Sequence, residues 1–217
     1  MKRTALVSAL LLSMAILPVF GQNATVTSIT GKVQLLAAGG TWTNASVGSV
    51  VTQGTVVSTG FNSSAVLDLG TSQLQVKQLT RMKLDELIRR EGSVTTSLFL
   101  TVGAVHADVA NNLGVTQNFT IQSPISTAAV RGTIFDFDGF TVSVDRGVVH
   151  FSNISGLGRN VAEGQGSRLN GPYVPGSAEQ FEMAQSEVSP LTSPSGEGVP
   201  NAPNAGAATG SVTVTVN

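Results

Sequence analysis

Cysteine is absent from the 217 residues. That absence excludes disulfides, thiol catalysis, cysteine-ligated metals and lipid attachment through a thiol, so core burial alone must hold the fold. Aromatic residues are scarce, at 5% with one tryptophan and one tyrosine, and charged residues make up only 12%. This composition is unpromising for a sugar-stacking cleft. Histidine occurs only as His106 and His150, which leaves little material for acid–base chemistry. There is no Gly-x-Ser-x-Gly, no phosphate-binding loop and no His-Glu-x-x-His. Beyond the first twenty or so residues, no stretch is apolar enough to cross a membrane.

What is present is Val, Thr, Ser and 24 glycines, the composition of a β protein with many turns. Lys2-Arg3, the apolar run Ala5 to Phe20 and a cleavage site near Gly21 read as a secretory signal peptide over residues 1–21. This predicts a protein exported by a bacterium to the periplasm or the cell surface, with no membrane span after cleavage. Without Lys2 and Arg3, ten basic residues face thirteen acidic ones, a charge of about −3. A weakly acidic surface argues against nucleic acid as a partner.

Alternating apolar residues predict strands along most of the chain, such as Val26 to Leu35, Val50 to Val57, Ala65 to Leu69 and Leu74 to Val76. In the charged stretch Arg81 to Glu91, Met82, Leu84, Leu87 and Ile88 fit neither the helical nor the strand period. We read it as a strand continuing from Val76, its charges a solvated face or a docking patch. Val94, Thr96, Leu98, Leu100 and Val102 share one parity, and Val105, Ala107 and Val109 take the other. A period of two cannot flip inside a straight strand, so Gly103 marks a bulge or a corner. The unit Gly-x-Val recurs at Gly31, Gly103 and Gly147, as in coils or hairpins stacked with glycines at their corners. The expected fold is all-β: a short β-solenoid, a β-roll or a β-sandwich over residues 22–173. Six of the eight prolines follow Gly171, which predicts a flexible tail over 174–210. Ser211 to Val216, SVTVTV, reads as a terminal strand at the domain edge or one offered to a partner.

The stretch from Ser123 to Phe137, SPISTAAVRGTIFDF, is the most demanding. Ser123-Pro124 breaks one strand, Val130-Arg131-Gly132-Thr133 interrupts the pattern again, and Phe135 and Phe137 restart it. Arg131 reads as a buried or half-buried guanidinium satisfied by Asp136, Asp138 or backbone carbonyls, or else as a recognition residue. Valine at Gly132 is expected to destabilise the fold by a few kcal/mol. His106 and His150 each lie three residues after the glycine of a Gly-x-Val unit, so stacking would bring them together, with Asp108 a third ligand. Asp136, Asp138 and Asp145 flank a hairpin and resemble the start of a calcium loop whose other ligands are missing. Asp136 and Asp138 are also the only carboxylates to suggest for a glycosidase pair. Strand exposure and hairpin chemistry explain these histidines and aspartates without a ligand, so we expect no metal, no cofactor and no catalytic residue.

Gly31-x-Val33, Trp42 with Gly48, Val57-Ser58-Thr59-Gly60 before Ser64-Ala65, Gly103-x-Val105, Thr127 to Phe135 and Gly147-x-Val149 occur in an order that resembles the periplasmic FecR domain. The Val130-Arg131-Gly132-Thr133 block is its most specific element, and the resemblance covers about residues 24–169. It implies a β-rich extracytoplasmic module that binds a protein or an envelope polysaccharide. In the best-known members a membrane span and a cytoplasmic segment controlling a sigma factor precede that domain. A cleavable signal in their place leaves no direct anti-sigma activity to carry over. The resemblance transfers no catalytic residue. Two other classes stand beside a non-enzymatic binding or scaffold module in envelope signalling: a self-assembling adhesive surface protein, and a carbohydrate-active enzyme.

Overall fold

The computed structural model describes residues 22–111, 114–170 and 174–177. The readings of a signal peptide, of the tail from residue 178 and of the Ser211–Val216 strand lie outside these residues. Eighteen strands and no helix occur among the described residues. The first nine are β1 Ala24–Thr30, β2 Val33–Leu36, β3 Trp42–Asn44, β4 Val50–Val51, β5 Val56–Thr59, β6 Ser64–Asp68, β7 Ser72–Val76, β8 Arg81–Arg90 and β9 Ser93–Val102. The others are β10 Val105–Val109, β11 Thr116–Gln122, β12 Ser126–Val130, β13 Ile134–Phe137, β14 Thr141–Arg146, β15 Val148–Asn153, β16 Gly158–Ala162, β17 Gly166–Asn170 and β18 Val174–Pro175. β18 pairs with β17, so the boundary read at 173 falls inside a strand pair.

The strands form two nine-stranded sheets in a sandwich-like arrangement. Sheet A runs β18-β17-β14-β13-β10-β7-β6-β1-β4, and sheet B runs β16-β15-β12-β11-β9-β8-β5-β2-β3. The chain makes a strand or a hairpin in one sheet, crosses to the other, and advances along both. Pairing is antiparallel except between β9 and β11, which are parallel. The architecture has the coil-by-coil advance of a roll and the single two-faced core of a sandwich.

The Gly-x-Val units lie at crossings. Gly31 leads from sheet A to B, Gly103 from B to A, and Gly147 from A to B. Gly60 and Gly132 lie in two further crossings from B to A. The parity flip at Gly103 has a simple origin: a residue facing inward from sheet B must change parity to face inward from sheet A. Gly103 has φ +96°, and a Cβ there would stand 2.5 Å from the Cα of Thr80. Thr80 is buried in the crossing alongside, and its Oγ1 accepts from Ala104 N at 3.0 Å. The corners therefore stack on one another through buried hydroxyls.

The central stretch is folded by the same rule. Ser123 to Ile125 turns the β11–β12 hairpin, where the Ser123 Oγ accepts from Ser126 N at 3.0 Å. Ser126 Oγ donates to Gly139 O at 2.5 Å, tying this hairpin to the β13–β14 hairpin of the other sheet. Phe119 meets Phe135 edge-on at 6.4 Å, and Phe137 meets Phe151 at 6.3 Å. In each pair one ring comes from each sheet, and all four rings are fully buried.

The stretch after Val76 departs from expectation. No single strand runs through it. β7 ends at Val76, the turn holds Leu79 at φ +53°, and β8 begins in the other sheet. The pairing of β8 with β9 shifts between Leu84 and Glu86. This bulge moves the inward set from Met82 and Leu84 to Leu87, which is why neither period fits. The charges of β8 face outward against neighbours: Arg81 lies 5.6 Å over the Trp42 ring, and Lys83 Nζ lies 2.8 Å from Asp85 Oδ1.

Candidate functional site

The two outer faces of the sandwich differ in chemistry. On sheet A, neighbouring strands align Gln75, His106, Asp136 and Ser143 in one cross-strand row. Asp136 Oδ1 lies 2.5 Å from Lys77 Nζ and 3.3 Å from His106 Nδ1. The β13–β14 register shifts so that Asp145 is an extra residue opposite Ile134 and Phe135. The shift brings Asp145 near the row: one ligand atom each from His106, Asp136 and Asp145 lie within 4.8 Å of one another. Lys77 already supplies a cation to Asp136. Asp108 faces Arg146 at 3.7 Å.

These placements correct several expectations. His106 and His150 do not approach each other. Gly103 opens a strand of sheet A and Gly147 a strand of sheet B, so the same outward position puts the two imidazoles on opposite faces. Asp138 is engaged in its own hairpin, accepting from Phe140 N at 2.8 Å and Thr141 N at 2.6 Å. Arg131 is exposed, not buried, and neither aspartate is its partner. Val130 points inward from sheet B, so the next residue points out, away from the sheet A face that carries Asp136.

The exposed Lys77–Asp136 pair sits in water and is worth little to the fold. Asp136→Asn is expected to change unfolding free energy by less than about 1 kcal/mol in a urea titration. A larger loss would show that the row is a structural network.

The outer face of sheet B mixes polar, charged and apolar side chains, the exposed Val148 among them. Ser97, Thr120, Ala129, His150 and Asn160 form one cross-strand row. Where β12 ends, an open groove of about 810 Å³ is lined by Asn111, Asn118, Thr120, Arg131, His150 and Asn160, with backbone from Gly132 and Gly147 beneath. Among the described residues, no aspartate or glutamate lines it. His150 Nδ1 and Asn160 Oδ1 are 3.0 Å apart. Glu163 reaches the rim, where its Oε2 accepts from the amide of the lining residue Gly147 at 3.5 Å. The backbone of the Val130–Thr133 block thus shapes the floor of the groove. Thr133, fully buried, fixes it by donating its Oγ1 to Val148 O at 3.0 Å.

Sequence reasoning singled out Arg131, Gly132, Gly147 and His150. Asn111, Asn118 and Asn160 were not among the residues it singled out. No local signal could have found them, because the groove joins positions up to 49 residues apart that only strand order brings together.

The architecture defines an all-β, two-sheet module with a groove on the outer face of sheet B and a row of ion-paired side chains on that of sheet A. No family model matches the chain, and no curated protein matches it. Two crystal structures of a protein from Parabacteroides distasonis ATCC 8503, described as a "putative anti-sigma factor", are similar to it at 13% identity, with TM-scores of 0.47 and 0.46. The matches cover 58% and 60% of this chain and 62% and 64% of those. The chain therefore spans less than two thirds of the length of the structures it matches.

Proposed function

We propose that this chain is a non-enzymatic, extracytoplasmic FecR-like binding module that contacts a protein or polymer of the bacterial envelope through the outer face of sheet B. The observation that carries this reading is the groove at Arg131. An exposed guanidinium, a histidine and three asparagines converge on a surface held by buried corners. Convergent polar groups over a rigid floor suit recognition. The FecR resemblance supports the choice of class, since the glycine landmarks that carry it lie at the sheet crossings. In this reading the module acts in envelope signalling by occupancy. The carboxylates Asp136 and Asp138, which an enzymatic reading would need, are engaged by Lys77, His106 and hairpin amides.

The test is capture from the host's solubilised envelope by the chain from Gln22 onward. Arg131→Glu, which reverses the charge of the groove, is expected to reduce the captured material at least about tenfold. Asp136→Asn, on the opposite face, is expected to leave it unchanged. Equal capture by wild type and the Arg131 variant would refute the assignment to sheet B. Capture of copies of this chain alone would favour the assembly reading.

A further inference from the structure

We infer that the groove on sheet B takes an acidic saccharide, a segment of polymer carrying ring carboxylates of the uronate type. This inference rests on the binding reading above and names the chemistry of its ligand.

Three features of the groove select that chemistry. The first is charge. Among the described residues, Arg131 is the one permanently charged side chain in the lining, none pairs with it, and no carboxylate lines the groove. A guanidinium in that position presents a planar fork to a carboxylate. The second is the hydrogen-bonding inventory. Asn111 and Asn118 each offer two donors and an acceptor, Asn160 offers its amide hydrogens while its Oδ1 meets His150 Nδ1, and Thr120 adds a hydroxyl. Sugar hydroxyls also donate and accept, so amides match them better than one-way donors would. The third is location. The groove lies over the interior of sheet B, where the backbone ladder is already paired on both sides of β11, β12 and β15. An extended peptide gains its main-chain bonds at a free sheet edge, and no such edge is available there.

The outward positions of β11 also carry the surface onward. Asn118 and Thr120 line the groove, and Gln122 on the same strand lines a second depression of about 430 Å³ with Phe99, Thr127 and Ser152. Phe99 is half-buried on this outer face, and Lys83 Nζ lies 5.9 Å over its ring. Two depressions along one strand fit successive residues of a chain better than a single small anion.

The experiment uses the chain from Gln22 onward in isothermal titration with a galacturonate oligomer, the same oligomer with its carboxyls reduced to alcohols, an oligoglutamate and inorganic phosphate. The acidic oligomer is expected to bind, and the reduced one to bind at least about tenfold more weakly. Arg131→Gln is expected to lose about tenfold in affinity for the acidic oligomer with its melting temperature unchanged, because the side chain is exposed. Asn160→Asp, which puts a negative charge in the groove, is expected to do the same. No binding of the acidic oligomer, equal binding of the reduced one, or indifference to Arg131→Gln would each overturn the inference. Tighter binding of oligoglutamate or of phosphate would overturn it in favour of those ligands. If envelope capture depends on Arg131 while the galacturonate oligomer fails to bind, the saccharide inference falls and the binding reading stands. If capture is itself indifferent to Arg131, the binding reading falls.

Discussion

Valine at Gly103 is expected to remove about 3–5 kcal/mol of stability, a large part of what a domain of this size possesses. Two effects add. The φ of +96° is a conformation that side chains with a Cβ rarely adopt, and forcing a β-branched residue into it costs about 1–3 kcal/mol. The added Cβ would also stand 2.3 Å from Thr80 Oγ1 and 2.5 Å from Thr80 Cα. One of those is a backbone atom of the buried Thr80, so relief requires the neighbouring crossing to shift and lose the bond from Ala104 N to Thr80 Oγ1. The companion substitution Gly132→Val meets a softer obstacle. Its Cβ would stand 2.7 Å from Asn111 Cβ, at φ +77°. Asn111 lies in a connecting segment outside any strand, so the expected loss is smaller, about 1–3 kcal/mol. Urea unfolding of the two variants reads the difference directly. An unchanged midpoint for Gly103→Val would show that the crossing at residue 103 is not the one described.

Alanine at Phe135 is expected to cost about 3–5 kcal/mol. The ring is fully buried, and its edge contact with Phe119 joins the two sheets at the centre of the sandwich. Removing it leaves a cavity walled by strands, which collapse less readily than loops. In a domain of about 150 residues, that loss corresponds to a fall in melting temperature of roughly 10 °C. Phe135→Leu fills most of the volume and should recover more than half of the loss. A cost below about 1 kcal/mol for Phe135→Ala would contradict the placement of this ring between the sheets.

The corners of this fold can be read from the sequence and its partners cannot, for a physical reason. Parity is local: the flip between Leu100 and Val105 announces a corner wherever the chain goes next. The sheet that each corner leads to depends on strand order, which is set by long-range packing. The two Gly-x-Val units that precede His106 and His150 look alike in sequence, yet they cross in opposite directions and separate the histidines. Arg131 shows the same limit. Its neighbours Val130 and Gly132 suggest a buried site, but β12 belongs to sheet B and its outward side opens on the groove. The bulge in β8 disguised a strand as an irregular segment, because one extra residue near Asp85 moves Leu87 out of phase with Leu84. The groove was only partly legible: Arg131 and His150 stand out as rare residue types, whereas Asn160 acquires meaning only when β16 pairs beside β15.

The proposed contact surface is the outer face of sheet B. Hydroxyl-radical footprinting of the chain, free and bound to the envelope material it captures, tests this most directly. Protection is expected at His150, Phe99 and Arg131 on sheet B, with His106 on sheet A as reactive as in the free chain. Protection centred on His106, or at the free edges near Trp42 with His150 unchanged, would contradict it.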